Sequence, residues 1–377
     1  MRMKKMLIVN DTVTGGGVEK LMYDMIMHWY KEFEITVFTE KKDKDFYNIY
    51  PKEVKCMHYT SSRSLKNIRG FRRYEDRFQN WYKERTIKKV NDMDFAILLA
   101  MKEGPVSALA SKIKAKVKFA WVHLDYVNAY WTKDIFGSAA NEVACMKTYR
   151  NVICVSEYIK ETIIDTIGDP KNLLVRYNPI DEKLICKMAA KKVTDIPEKS
   201  DVIRFVSVGR LHYQKGYDML LTACKKLKDE GYHFEVYIIG WGETEEEFNQ
   251  LEEQRKQLGL SMVRFMGYRE NPYPYLKSAD WFISSSRYEG YSLVSQEAAI
   301  LDVPIIATNC SGVSELLGED GRYGIVADIS IEGIHDKMKM VLDDLSLRDR
   351  YCELIKERKS IISFDERIDA IRKLFDN

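Results

Sequence analysis

The sequence has no CxxC pair, no metal-ligand spacing, no long apolar run and almost no net charge. Each absence removes a class of function. Seven cysteines are scattered at positions 56, 145, 154, 186, 224, 310 and 352, an odd and dispersed set. That fits free thiols in a reducing compartment and argues against a disulfide framework or a zinc site. Net charge is only +2, which gives no global case for nucleic acid. No signal peptide is expected, because MRMKK is followed by only MLIV before the polar NDT. FAILLA is far shorter than the roughly 20 apolar residues a membrane span needs. No repeat or low-complexity segment appears. The chain is expected to be soluble or at most peripheral, and to work in the cytoplasm or on the inner face of the membrane.

What is present is enough for two cores. The chain has 377 residues, 45% of them hydrophobic and 31% charged, and a single domain usually takes about 100–200 residues. Short apolar runs alternate with helical or charged segments, so the pattern is α/β with parallel sheets. In the first half MLIV, ITVFT, FAILL, KFAWV and NVICV read as strands, with a helix from about Val18 to Tyr30. In the second half IRFVSVG, FEVYIIG, VRFMG, WFISS and VPIIAT read as strands, with helices over Tyr217–Asp229 and TEEEFNQLEEQRKQLG. Gly209, Gly240 and Gly267 each follow a strand, where ligands bind in such sheets. The boundary is placed within VRYNPIDEK, giving domains 1–179 and 180–362. The tail, 363–377, reads as an amphipathic helix with Ile368, Ile371 and Phe375 on one face.

Residues 61–90 break the pattern. Ten Lys/Arg stand against three acids, interleaved with Phe71, Tyr74, Phe78, Trp81 and Tyr82. Two readings stay open: a solvated helix with an apolar inner face, or a surface for an anionic membrane or lipid-phosphate acceptor.

Four constellations could carry chemistry. In SRYEGYSLVSQEAA, Glu289 and Glu297 stand eight positions apart. Were the stretch all helix, they would lie roughly 12 Å apart along the axis. Glycosidase carboxyls need about 5–5.5 Å or about 6.5–9.5 Å, so a hydrolytic pair is excluded. Instead WFISS ends in a turn carrying Glu289, Ser292 is a plausible N-cap, and Glu297 lies inside the helix running through Leu301. A helix start between two carboxylates favours an anion near Tyr291–Val294. Hydroxyls, phosphate, hydroxyls is the layout of a nucleotide sugar. The plainer reading is one loop charge and one helix charge.

The second constellation, VGRLHYQKG, puts Arg210 and Lys215 in a loop bounded by Gly209 and Gly216. Two cations there can hold a diphosphate and absorb the charge that develops as it leaves; a solvated basic loop is the alternative. It is not a Walker A loop. The third, NDTVTGGGVEK, offers Gly16 and Gly17 for close backbone approach, or simply a tight turn. It fails the GxGxxG fingerprint, which disfavours a dehydrogenase. The fourth, WVHLDY, places His123 just past a strand, where it could donate to a sugar hydroxyl or stabilise a developing positive centre, unless it is structural.

These features occur together and in order in one family. The chain resembles the retaining glycosyltransferases of family 4, with the two-domain GT-B fold: two Rossmann-like, doubly wound domains facing a central cleft. The likeness is strongest over 203–326 and weak over 40–115. GGGVE is similar to the family's glycine loop, VGRLHYQKG to its Arg/Lys loop, EGYSLVSQE to its E-x7-E motif, and NPID to its interdomain segment. The last helix is similar to the one that crosses back to the first domain.

The resemblance implies that Arg210 and Lys215 bind the donor diphosphate without a metal. It implies that Glu297 holds the ribose, that Glu289 contacts the donor sugar, and that Gly290, Tyr291, Ser292 and Leu293 line sugar and phosphate. Gly209 belongs to the Arg/Lys loop, Gly16 and Gly17 approach the diphosphate, and Gly267 and Tyr268 flank the base pocket. His123 lies beside the sugar. No cofactor is expected. The partners implied are a nucleotide-sugar donor, with uracil the expected base and guanine the alternative, and a glycan or lipid-linked acceptor. A nucleotide-sugar epimerase and a non-catalytic relative are the competing readings.

Overall fold

The computed structural model describes residues 3–42, 49–62, 74–197, 201–242 and 244–376. Its contacts divide the chain into two compact units, Met1–Pro179 with Asp365–Asn377, and Ile180–Phe364.

The first unit is built on a seven-stranded sheet. Its strands are β1 (Lys5–Val9), β2 (Glu34–Thr39), β3 (Lys55–His58), β4 (Ile97–Ala100), β5 (Val117–Val122), β6 (Asn151–Cys154) and β7 (Leu173–Val175). Their order is β3-β2-β1-β4-β5-β6-β7, every pairing parallel. Central strands such as MLIV in β1 and ILLA in β4 are apolar throughout because helices cover both faces of such a sheet. The predicted helix appears as Gly17–Trp29. In the tail, Ile368 and Ile371 are buried and the Phe375 ring packs against Trp29 and Phe119, with centroids 5.1 and 5.6 Å away. Arg367 donates to the Asn178 carbonyl at 2.8 Å.

The second unit holds a six-stranded sheet of β8 (Ile203–Val208), β9 (Phe234–Ile239), β10 (Val263–Gly267), β11 (Trp281–Ser284), β12 (Ile305–Thr308) and β13 (Ile325–Ala327). Its order is β10-β9-β8-β11-β12-β13, again all parallel. This is the doubly wound order, in which the direction of winding reverses once. The reversal falls between β8 and β11 here, and between β1 and β4 in the first unit. In sheets of this order ligands bind at the carboxyl ends of the strands beside the reversal.

Of the basic segment, residues 63–73, with Phe71, lie outside the described residues. Residues 75–90 lie in the helix Glu75–Asn91, whose buried residues are Glu75 and Val90. Trp81 is 52% exposed, with Phe78 stacked beside it and the Arg85 guanidinium 5.5 Å from its ring centre. Among the described residues no helix is long and apolar enough to cross a membrane.

Candidate active site

In the second unit the two conspicuous loops leave β8 and β11, the strands that flank the winding reversal. After β8 come Gly209, the exposed Arg210 and the buried Leu211, whose N–H donates to the Trp241 carbonyl at 3.1 Å. A short 3-10 turn, Tyr213–Lys215, ends at Gly216, and the helix Tyr217–Asp229 begins. Gly216 is required twice over. Its φ is +63°, and a Cβ there would lie 2.1 Å from the Ser285 carbonyl oxygen. Gly240, at the end of β9, is equally constrained, since a Cβ would stand 1.8 Å from the Gly209 carbonyl oxygen. The loop after β8 is therefore pressed against its neighbours on both sides.

The loop after β11 carries Ser285 to Glu289. Lys215 Nζ lies 2.5 Å from Glu289 Oε1, and Ser286 Oγ donates to the same oxygen at 2.6 Å. Both charges are largely shielded, with side-chain exposures of 19% for Lys215 and 9% for Glu289. Residues 74 positions apart thus meet beside the winding reversal. Beneath them Tyr217 donates no charge: burial first, and then Glu289, pushes its phenol well above the ordinary range, against the opposing bond with Ser207.

Three residues on, Ser292 caps the helix Leu293–Ile300, its Oγ accepting the Ser295 N–H at 3.2 Å. The Ser292 hydroxyl is thereby committed to the helix start, and Ser295 Oγ donates to it at 2.9 Å. Tyr291 is buried, while Gly290 and Leu293 are half-buried. Glu297 is buried inside the helix and accepts from Tyr273 Oη at 3.1 Å. Gly267 is the last residue of β10, and Tyr268 beside it is 68% exposed. Trp241, at the neighbouring end of β9, is 44% exposed and stacks on Phe248 with ring centres 4.6 Å apart. Tyr273, Trp241 and Arg287 escape sequence reasoning. The one signal for Trp241 is its place directly after the strand-ending Gly240.

The first unit gathers polar groups at its own reversal. Asn10 is fully buried at the end of β1, and its Nδ2 donates to the Thr12 carbonyl and to Glu19 Oε1. Lys102, after β4, contacts Asp11 and Glu19 at 2.9 and 2.5 Å. Gly16 caps the helix Gly17–Trp29 without any side-chain hydrogen bond, and both glycines are exposed. The Glu19 carboxylate sits beside Gly16, so an incoming phosphate would meet that carboxylate as well as the free N–H groups.

His123 follows β5 and is half-buried. Its backbone N–H donates to Glu103 Oε2 at 2.9 Å, and its Nε2 lies 3.0 Å from the Met101 carbonyl oxygen. A carbonyl can only accept, so Nε2 carries the proton and Nδ1 keeps a lone pair. Burial, joined by the Lys102 charge and against the pull of the Met101 carbonyl, drives the imidazole down to about 4. The ring is neutral at neutral pH. It can accept from a hydroxyl or face a positive centre, but its single donor is already used. Burial raises the Glu103 carboxyl, opposed by the His123 N–H. Among the described residues no three His, Cys, Asp or Glu are grouped so as to hold a metal ion.

Comparison with known proteins follows this division. The family model described as Glycosyltransferase Family 4 matches residues 15–184, and that described as Glycosyl transferases group 1 matches residues 189–358. Among curated relatives, an N-acetylgalactosamine-N,N'-diacetylbacillosaminyl-diphospho-undecaprenol 4-alpha-N-acetylgalactosaminyltransferase of Campylobacter jejuni is 28% identical over 60% of this chain. The lipopolysaccharide core biosynthesis glycosyltransferase LpsE of Rhizobium meliloti is 27% identical over 68% of it. The matches span 61% and 73% of those relatives' own lengths. Among solved structures, Anabaena HepE in complex with UDP and glucose superposes with a TM-score of 0.78 at 14% identity, covering 99% of this chain and 100% of that one. Sucrose-phosphate synthase of Thermosynechococcus elongatus does so at 0.78 and 15%, covering 99% and 98%. At such identities the structures speak for the fold alone.

Proposed function

Because the chain belongs to glycosyltransferase family 4 and has the GT-B fold, we propose that it moves a sugar from a nucleotide-diphosphate donor to an acceptor hydroxyl, retaining the anomeric configuration. One observation carries the reading. Lys215 and Glu289 come from the two loops flanking the winding reversal of the second unit and meet at 2.5 Å. A cation for a leaving diphosphate and a carboxylate for sugar hydroxyls are then side by side.

Arg210 and Lys215 neutralise the charge that builds on the diphosphate as the glycosidic bond breaks, without a metal. Glu289 accepts from sugar hydroxyls, and Glu297, oriented by Tyr273, accepts from the ribose. Trp241 and Tyr268 offer exposed rings to the base. For the first unit the proposal keeps Gly16 and Gly17 as backbone near the diphosphate and His123 as a sugar contact, now through Nδ1 as an acceptor. UDP is the proposed nucleotide. The acceptor class is a surface polysaccharide or a lipid-linked oligosaccharide, in line with what the names of the Campylobacter and Rhizobium relatives say of those enzymes. The cytosol is the proposed site of action, with residues 61–90 as the candidate contact with an anionic membrane face.

A thermal-shift panel of UDP, GDP and ADP sugars tests the donor, since a ligand that binds the folded form raises its apparent stability. Product NMR reads the anomer and separates transfer from epimerisation, which would alter the nucleotide sugar without acceptor. Lys215→Ala and Glu289→Ala should each lower kcat by about 10²–10³-fold, the usual effect of losing one charge-stabilising group. Wild-type rates in both variants would sink the assignment, and inhibition by EDTA would remove the metal-free step.

A further inference from the structure

Lys215 and Glu289 sit on irregular loops, outside any strand ladder, yet their contact requires a register fixed within tenths of an ångström. Side chains and backbone two residues before Glu289 supply that register. Arg287 donates through Nη1 to the Tyr213 carbonyl at 2.7 Å. Its two terminal nitrogens also form a fork on Asp218, at 2.8 Å to Oδ1 and 2.7 Å to Oδ2. Its guanidinium lies 3.9 Å from the centre of the Tyr213 ring. The Arg287 backbone N–H donates to the Gln214 carbonyl at 2.7 Å, and Gln214 Nε2 returns a bond to the Tyr288 carbonyl at 3.0 Å. Ser285 Oγ donates to the Lys215 carbonyl at 2.8 Å. Residues 285, 287 and 288 thus grip 213, 214, 215 and 218, bracketing both functional side chains.

The chemistry of the grip calls for arginine. Only a planar guanidinium can donate twice to a carboxylate, once more to a carbonyl, and stack on a ring at the same time; an ammonium cannot. The grip is also a poor candidate for global stability. Asp218 is 45% exposed, and pairs that open to water contribute little to folding. Asp218 cancels the charge of Arg287, so the pair adds no net charge to the loop that carries Arg210 and Lys215.

We propose that Arg287, braced by Asp218, is a positioning residue that latches the Lys215 loop to the Glu289 loop and so holds the diphosphate-binding cation in register with the sugar-reading carboxylate. The proposal rests on the donor assignment above. Its consequence is a loss of rate out of proportion to any loss of fold or of binding, because small misplacements at a reacting centre cost about 10²-fold.

The test uses the full chain with Arg287→Ala, Arg287→Lys, Asp218→Asn and the double variant Arg287→Ala/Asp218→Asn. For Arg287→Ala kcat should fall at least about tenfold, while donor KM and melting temperature stay near wild type. Arg287→Lys should not restore kcat, and the double variant should be no slower than Arg287→Ala alone. Hydrogen exchange is the readout independent of catalysis: amides of 210–217 should exchange faster in Arg287→Ala, and to a lesser degree in Asp218→Asn. Wild-type kcat in Arg287→Lys, or unchanged exchange over 210–217, overturns the latch. If Arg287→Ala does not fold, Arg287→Lys and Asp218→Asn decide by the same two readouts. A wild-type protein that neither binds nor turns over any nucleotide sugar would defeat the donor assignment, and exchange would still judge the latch.

Discussion

Gly216→Ala offers a direct measure of how tightly the Lys215 loop is seated. The glycine has φ +63°, a conformation that costs a side-chain-bearing residue about 1–2 kcal/mol. That cost alone says nothing about the site, so Gly231→Ala is the control. Gly231 has φ +90° in the same unit, and a Cβ there meets nothing within 4 Å. At Gly216 the new methyl would lie 2.1 Å from the Ser285 carbonyl oxygen, a backbone atom that no rotamer change can move. The loop must shift, which gives up the Ser285–Lys215 and Arg287–Gln214 bonds, at about 1 kcal/mol each. Gly216→Ala should therefore be less stable than Gly231→Ala by about 2 kcal/mol, or about 4–8 °C in melting temperature for a unit of this size. Calorimetric melting of both variants reads the gap, and a titration with UDP should show weakened binding in Gly216→Ala alone. Equal melting losses would refute the reasoning, because they would mean the loop yields to the methyl without cost.

Two further tests address the buried polar groups. His123 is held down to about 4 from an ordinary 6.5, so as pH falls through 6.5 the unfolded chain takes up the proton first and stability drains away until pH 4. A shift of that size bounds the loss at about 3 kcal/mol, less for the solvent a half-buried ring still sees. His123→Asn should flatten the dependence of melting temperature on pH across that window, and an unchanged slope would show that the ring is not the titrating group. Tyr273→Phe removes a donor to the Glu297 carboxylate and should weaken nucleoside diphosphate binding about tenfold, the effect of about 1.4 kcal/mol. Calorimetric titration with the 2′-deoxy nucleotide tests the ribose assignment: losses from Tyr273→Phe and from the missing hydroxyl should overlap, and fully additive losses would contradict it.

The strands that sequence reading misses share one physical feature, although one edge strand, VRFMG, is recovered. MLIV and FAILL run through the middle of their sheet and are apolar on both faces, so composition alone marks them; IRFVSVG, also central, is recovered despite Arg204 and Ser207. The three that escape are KCMH, LLV and IVA, forming β3, β7 and β13. All three are sheet edges of three or four residues. KCMH and LLV have no fully buried position. Such strands get their identity from a neighbour, not from a pattern. Helix starts fare better because local chemistry defines them, as in the capping box of Thr244 and Glu247 and the cap at Ser292.

The site divides the same way. Each loop is legible singly: glycines and cations after one strand, a carboxylate and a helix cap after another. Their meeting is not, since Lys215 and Glu289 become neighbours only through the order β10-β9-β8-β11. Arg287 and Tyr273 are invisible for the same reason, their partners lying 69 and 24 positions away.

The Lys215–Glu289 contact is a poor device for stability. Withdrawing two charges from water costs several kcal/mol per ion, about what their attraction returns, so such pairs seldom stabilise a fold. The surrounding loop already has other fastenings: the bonds through Ser285 and Gln214, and the fork on Asp218. What the pair does provide is two opposite charges whose desolvation is met in advance and whose positions are set before a ligand arrives. An anion that draws on Lys215 and a hydroxyl that draws on Glu289 each replace part of the existing interaction and not water, so little reorganisation remains to be done as charge moves onto the departing phosphate. That economy depends on the two loops keeping their register, which is why the residues that fasten them belong to the argument about chemistry and not only to the argument about folding.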